Sequence, residues 1–196
     1  MFIERSRRTR PPAPSLSHYQ QQRAAWGFLP NYAAAFATRP EVAQAWNKLI
    51  KAVGAGMERR RFELATIAAA RACHSTYCMA AHCKFLRDVC SDDLTMRAIA
   101  ADPTGAELDA TDRAVMDFAT HVARDASSIT APDVQRLRDH GLSDPEIVDV
   151  VFAAAARAFF TKVLDALGVQ ADVQLGETFD PEVRQQVTVG RPIADA

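Results

Sequence analysis

Two alanine-rich runs constrain this chain more than anything else in it: ELATIAAARA (63–72) and EIVDVVFAAAARA (146–158). Alanine is the strongest helix former because ordering it costs no side-chain entropy. The stretch Ile147 to Phe160, IVDVVFAAAARAFF, is the most apolar in the sequence. It contains Asp149 and Arg157 and is too short to span a bilayer, so it reads as a buried helix. Glycine is scarce, at 8 of 196 residues, and β-branched runs are weak. The expected fold class is therefore all-α. Both runs lead from a glutamate to Arg-Ala, which raises a duplicated helical unit. A chain of this length buries a core without help from disulfides.

Helix signals punctuate the rest. A first helix is expected from about Ser17 to Trp26, then a short one within LPNYAAAFATRP (29–40). Pro40 suits the first turn of a third helix, with Val42, Ala45, Trp46, Leu49 and Ile50 on its apolar stripe, and Gly54–Gly56 stops it. The next helix begins at MERRRF and breaks near His74–Thr76. Another then runs from Tyr77 to about Val89. Ser91–Asp93 caps a short helix, and Asp109 or Thr111 caps the one after DPTGAELDA. A further short helix ends at Gly141. Ser143 and Glu146 form a capping box for the long apolar helix. The expected organisation is a basic, proline-rich flexible arm (1–15), a helical domain (16–175) and an extended tail (176–196) that packs on a neighbour.

Charge excludes several partners. The formal net charge is −1, from 23 basic and 24 acidic residues. That balance asks for neither nucleic acid nor an anionic membrane. The one basic cluster, Arg5, Arg7, Arg8 and Arg10, reads as a solvated arm. No apolar segment follows it, so it is not a signal peptide. All four cysteines crowd between Cys73 and Cys90, unlike an extracellular disulfide framework. The expected location is the cytoplasm.

The chemistry concentrates in CHSTYCMAAHC (73–83), with three cysteines and two histidines. Cys78 and His82 are four apart and share one face of a helix. A position near a helix N-terminus and a neighbouring imidazole, when protonated, both favour a thiolate, so a Cys78 pKa below that of a free cysteine is expected. Glu63 lies on the preceding helix. Antiparallel packing brings its carboxylate to His82 and makes a relay of carboxylate, imidazole and thiol. Two other readings stand beside this one. Cys78 and His82 with Cys73 or His74 have partial zinc spacing, although the loop spacing of zinc modules is missing. Alternatively they are a buried thiol and a core histidine on an inert helix.

The segment RRRFELATIAAARACHSTYCMAAHCKFL resembles the AhpD-like alkylhydroperoxidases, within the carboxymuconolactone decarboxylase superfamily. That family has a Glu, a Cys-x-x-Cys starting twelve residues later, and a His four after the second Cys. Glu63, Ser75, Cys78 and His82 keep these intervals. FLPNYAAAFATRPEVAQAWNKL and GLSDPEIVDVVFAAAARAFFTKVLDALGV resemble the flanks of the peroxidase-related subgroup, so the likeness spans roughly residues 26 to 170. It implies an AhpD-like helical bundle, a homo-oligomer, and reduction of an organic hydroperoxide by a thiol or dithiol reductant with no cofactor. It also implies Cys78 as nucleophile, His82 as proton shuttle and Glu63 as orienting carboxylate.

Ser75 departs from that pattern, because it occupies the resolving cysteine's position and cannot form a disulfide. Cys73 and Cys83 are each five residues from Cys78. On a continuous helix that separates Cα atoms by about 8–9 Å, beyond the limit of about 7 Å for a bridge. Resolution by Cys73 if the chain is irregular there, resolution by an external thiol, and loss of peroxidase activity are the three outcomes left. A lactone decarboxylase and a non-catalytic oligomeric helical protein are the alternatives in function.

Overall fold

The structure is a computed structural model that describes residues 1–2, 13–102, 104 and 107–195. The basic cluster at Arg5–Arg10 lies outside the described residues. Among the described residues there are helices and no strands. The order is α1 (Ala13–Trp26), α2 (Asn31–Phe36), α3 (Pro40–Ala55), α4 (Arg59–Ala72), α5 (Thr76–Asp88), α6 (Asp93–Ala101) and α7 (Ala110–Asp125). A short 3-10 turn at Ala126–Ser128 leads to α8 (Ala131–Asp139), α9 (Asp144–Ala166), α10 (Val173–Gly176) and α11 (Pro181–Val187). No described helix is long and apolar enough to cross a membrane.

The centre of the bundle is α4, which packs against α5, α7 and α9. Every residue from Phe62 to Ala70 is buried. Only small side chains allow a helix to be covered on all sides at close range, and this run is alanine-rich for that reason. The start of α4 is fixed by Glu58, whose carboxylate accepts from the Arg60 and Arg61 amides at 2.8 Å.

The break after α4 positions the cysteines. Ser75 N–H donates to the Ala70 carbonyl at 2.9 Å, and His74 N–H donates to Arg71 at 3.0 Å. This is a Schellman closure, and it requires a left-handed residue, here His74 at φ 55°. The same closure ends α8 and α9, but with Gly141 and Gly168 in the left-handed position. The chain then restarts at once, so α5 packs against α4.

The C-terminal segment differs from the expected extended tail. It forms α11, which packs on α5 and α6 of its own chain. Asp180 caps α11 by accepting from Val183 N–H, and its other oxygen meets Arg97 on α6 at 2.7 Å. Beyond α11 the chain crosses the α4–α5 break. Gly190 N–H donates to Thr76 Oγ1 at 3.0 Å. A Cβ at position 190 would lie 1.8 Å from the His74 carbonyl oxygen, so only glycine fits.

Candidate functional site

Cys78 is the third residue of α5, and His82 follows one turn later. Both line a cavity of about 390 Å³ between α3, α4, α5 and α9. Its walls are aromatic: Trp26, Tyr32, Trp46, Phe62, Phe85 and Phe160. Glu63, Cys78 and His82 are almost fully buried, while Lys51 and Arg59 line the cavity from exposed positions.

The packing of α4 on α5 brings Glu63 to His82, as the spacing predicts. Glu63 Oε2 lies 2.5 Å from His82 Nδ1. The other carboxylate oxygen forms an ion pair with Arg59 Nη2 at 2.6 Å, without hydrogen-bond alignment. Burial and the Arg157 charge hold His82 down at about 4, against the opposing pull of Glu63. The imidazole is thus neutral at pH 7. It donates from Nδ1 to the carboxylate, which leaves Nε2 as an unprotonated base.

Arg157 completes the cluster. It is 4% exposed, and its Nη1 donates to Cys78 Sγ at 3.5 Å. Its guanidinium also lies over the rings of Trp46, at 5.9 Å, and Phe160, at 5.5 Å. Its Nε has no hydrogen-bond partner. The sequence carried one signal for this residue: it is the only arginine in the most apolar run of the chain. What that arginine faces depends on how α9 meets α5, which no local pattern encodes.

The expected acidity of Cys78 is corrected by the structure. Burial pushes the thiol up, and this outweighs the opposing pull of Arg157 and Ser75. The helix start does not compensate for removal from water. The neighbouring imidazole cannot help as a cation because it is neutral.

Ser75 stands at the N-cap position of α5, yet its side chain makes no capping bond. Its hydroxyl is fully buried, without a hydrogen-bond partner. It is close enough to favour the charged forms of Cys78 and of Asp165 on α9, while aligned with neither. All four cysteines are free. Cys73 is the C-cap of α4, across the break from Cys78, so the two do not share a helix. Burial pushes the Cys83 thiol up to about 12. Among the described residues, no three His, Cys, Asp or Glu side chains converge as metal ligands. Tyr77 lines the cavity while its hydroxyl donates to Asp172, whose other oxygen accepts from Asn31 N–H at 2.7 Å.

Residues 40–90, which include Glu63, Ser75, Cys78 and His82, match the carboxymuconolactone decarboxylase family. The fold is that of an AhpD-core, peroxidase-related protein from Ralstonia eutropha JMP134, with a TM-score of 0.74 at 21% identity over 93% of this chain and 97% of that one. Over the segment that holds Glu63, Ser75, Cys78 and His82 the chain is thus similar to the carboxymuconolactone decarboxylase family, and its fold is AhpD-like. A second peroxidase-related protein, from Silicibacter sp. TM1040, superposes with a TM-score of 0.79 at 20% identity over 89% of this chain and 93% of that one. The debrominase Bmp8, in a variant bound to 2,3,4-tribromopyrrole, has the same fold with a TM-score of 0.73 at 17% identity over 93% of this chain and 98% of that one. No curated protein matches significantly. The carboxymuconolactone decarboxylase family match ends before Arg157, so the arginine on the sulfur comes from outside the matched segment.

Proposed function

We propose that this AhpD-like protein reduces organic hydroperoxides with Cys78 as its nucleophile. The observation that carries this reading is the Glu63–His82 contact of 2.5 Å beside a buried thiol. A neutral imidazole oriented by a carboxylate is the base that a high-pKa thiol needs. His82 Nε2 takes the Cys78 proton as the hydroperoxide enters. Arg157 donates to the sulfur and favours the anion as it forms. The thiolate attacks the terminal peroxide oxygen, the O–O bond breaks, and the proton on His82 passes to the alkoxide. The products are an alcohol and the Cys78 sulfenic acid. Because position 75 is serine, an external thiol then condenses with the sulfenic acid and releases water. A second thiol frees Cys78 and leaves as the disulfide. The sum is ROOH + 2 RSH → ROH + H2O + RSSR.

Mass spectrometry after one equivalent of cumene hydroperoxide tests this. One oxygen on Cys78, trapped by dimedone, and one alcohol released per chain are expected. An unmodified Cys78 with the hydroperoxide unconsumed would overturn the reading. The Ser75→Cys variant should instead end in a disulfide between the introduced thiol and Cys78, because residues three apart at a helix start can meet bridging geometry.

The aromatic walls favour a second reading. Bmp8 is a debrominase, and a ring-shaped halogenated substrate suits a cavity walled by Trp46, Phe62 and Phe160. In that reading two thiols supply the electrons that replace bromine by hydrogen, and bromide leaves. Bromide release from 2,3,4-tribromopyrrole in the presence of a thiol, with no consumption of cumene hydroperoxide, would favour it over the first.

A further inference from the structure

We infer that the thiol that regenerates Cys78 is a small molecule bearing carboxylates, and that a globular dithiol protein does not serve. This rests on the thiol chemistry proposed above for Cys78. The sulfenic acid forms on a sulfur that is 1% exposed. Exchange at sulfur needs the incoming thiolate to reach it, so access decides which reductants work. Two approaches to Cys78 exist along the chain. The first is the α4–α5 break, and it is closed. Ser75 is fully buried there, and Gly190 lies across the break with its N–H on Thr76 Oγ1 at 3.0 Å. The second is the cavity of about 390 Å³, a size that admits a small molecule. A redox protein presents its cysteine on a folded surface, and such a surface does not enter a cavity of about 390 Å³ to reach a sulfur that is 1% exposed.

The charges along this route select among small thiols. Lys51 and Arg59 line the cavity from exposed positions, and Arg157 adds a third positive charge inside. The negative charge is Glu63, fully buried and already engaged by His82 and Arg59. Among the described residues, Lys51 makes no ion pair with a carboxylate. The route is therefore cationic, and it favours a thiol that carries carboxylates over a neutral or cationic one. The first such thiol forms a mixed disulfide with Cys78 and releases water. The second attacks the small molecule's own sulfur, which lies nearer the mouth, and expels the Cys78 thiolate. Hydroperoxide and thiol use the same cavity in turn.

The test uses the full chain oxidised at Cys78 by one equivalent of cumene hydroperoxide. Recovery of the free thiol is followed with glutathione, mercaptoethanol, cysteamine and reduced thioredoxin, each rate expressed per thiolate. Glutathione should act at least tenfold faster than cysteamine and a hundredfold faster than thioredoxin. Lys51→Glu should shrink the gap between glutathione and cysteamine. Thioredoxin matching glutathione would overturn the steric part, and cysteamine matching glutathione would overturn the charge part. A parallel series starts from Cys78 loaded with dipyridyl disulfide, and release of the mixed disulfide is followed with the same four reductants. That series needs no peroxide chemistry. A chain that ignores hydroperoxide yet ranks the reductants as stated would sink the peroxidase reading and leave this one standing.

Discussion

Arg157 is a buried cation whose hydrogen bond goes to a sulfur. A charge held out of water needs a counter-charge, and the Cys78 thiolate supplies one when it forms. Replacing Arg157 by methionine keeps the volume and removes the charge. The Cys78 thiol should then rise further, and its alkylation by iodoacetamide at pH 8 should slow by about tenfold for each unit of rise. Arg157→Lys should recover part of the rate. Equal alkylation profiles in wild type and Arg157→Met would show that the arginine does not act on the sulfur. His82 carries a separate consequence. It titrates at about 4, below its ordinary 6.5. Between those values the unfolded chain binds a proton that the folded chain refuses. Stability that is fully present above pH 6.5 is thus lost as the pH falls toward 4, by roughly 3 kcal/mol. Urea titrations at pH 7 and 4.5 should show a drop about 2 kcal/mol smaller in His82→Gln. The shared face of Cys78 and His82 was legible from spacing, because helical periodicity fixes it, whereas Glu63 was singled out through the family resemblance. The acidity of Cys78 was not, because burial is set by helices distant in sequence.

Element by element, what was local could be read. The Ser143–Glu146 capping box, Pro40 in the first turn of α3, and the caps at Asp92 and Asp109 all stand where the sequence puts them. The break at His74–Thr76 does too. The failure is α11, where GETFDPEVRQQV reads as an extended tail. Asp180 and Pro181 are a cap and a first-turn proline, but a helix of 7 residues depends on what it packs against. Here that is α5 and α6, far earlier in the chain. The strap beyond α11 makes a sharp prediction. Gly190→Ala places a methyl group onto the His74 carbonyl, so either the strap or the break must move. A loss of about 1–3 kcal/mol is expected, as for other overpacked sites, with faster proteolysis after residue 187. A Gly190→Ala chain as stable as wild type would mean that the strap does not bear on the break.

At the scale of the whole molecule, one face is unfinished. Val148, Phe152 and Phe159 lie along one side of α9 at 47%, 52% and 46% exposure, and Leu49 on the adjoining α3 is 50% exposed. Phe159 packs against Trp46, at 5.7 Å between ring centres, and Trp46 is a wall of the cavity. We propose this face as the contact of the homo-oligomer that the resemblance implies. We expect light scattering at micromolar concentration to give a dimer or larger assembly, and Phe152→Glu to shift it toward monomer. A monomer mass for the unaltered chain would remove this face from consideration.

The bond between Gly190 and Thr76 joins residues 114 positions apart. During synthesis, Cys78 and the start of α5 leave the ribosome long before the glycine that crosses the α4–α5 break exists. At cellular translation rates of about 5–20 residues per second, the interval is on the order of ten seconds. Throughout that time the seat beneath the break stays open, and α9 with its arginine arrives only part-way through. The newborn thiol therefore faces water, without its guanidinium and without its finished cavity. The site becomes a site only after most of the chain has been made, so its chemistry is withheld from the nascent protein by the order of its own residues.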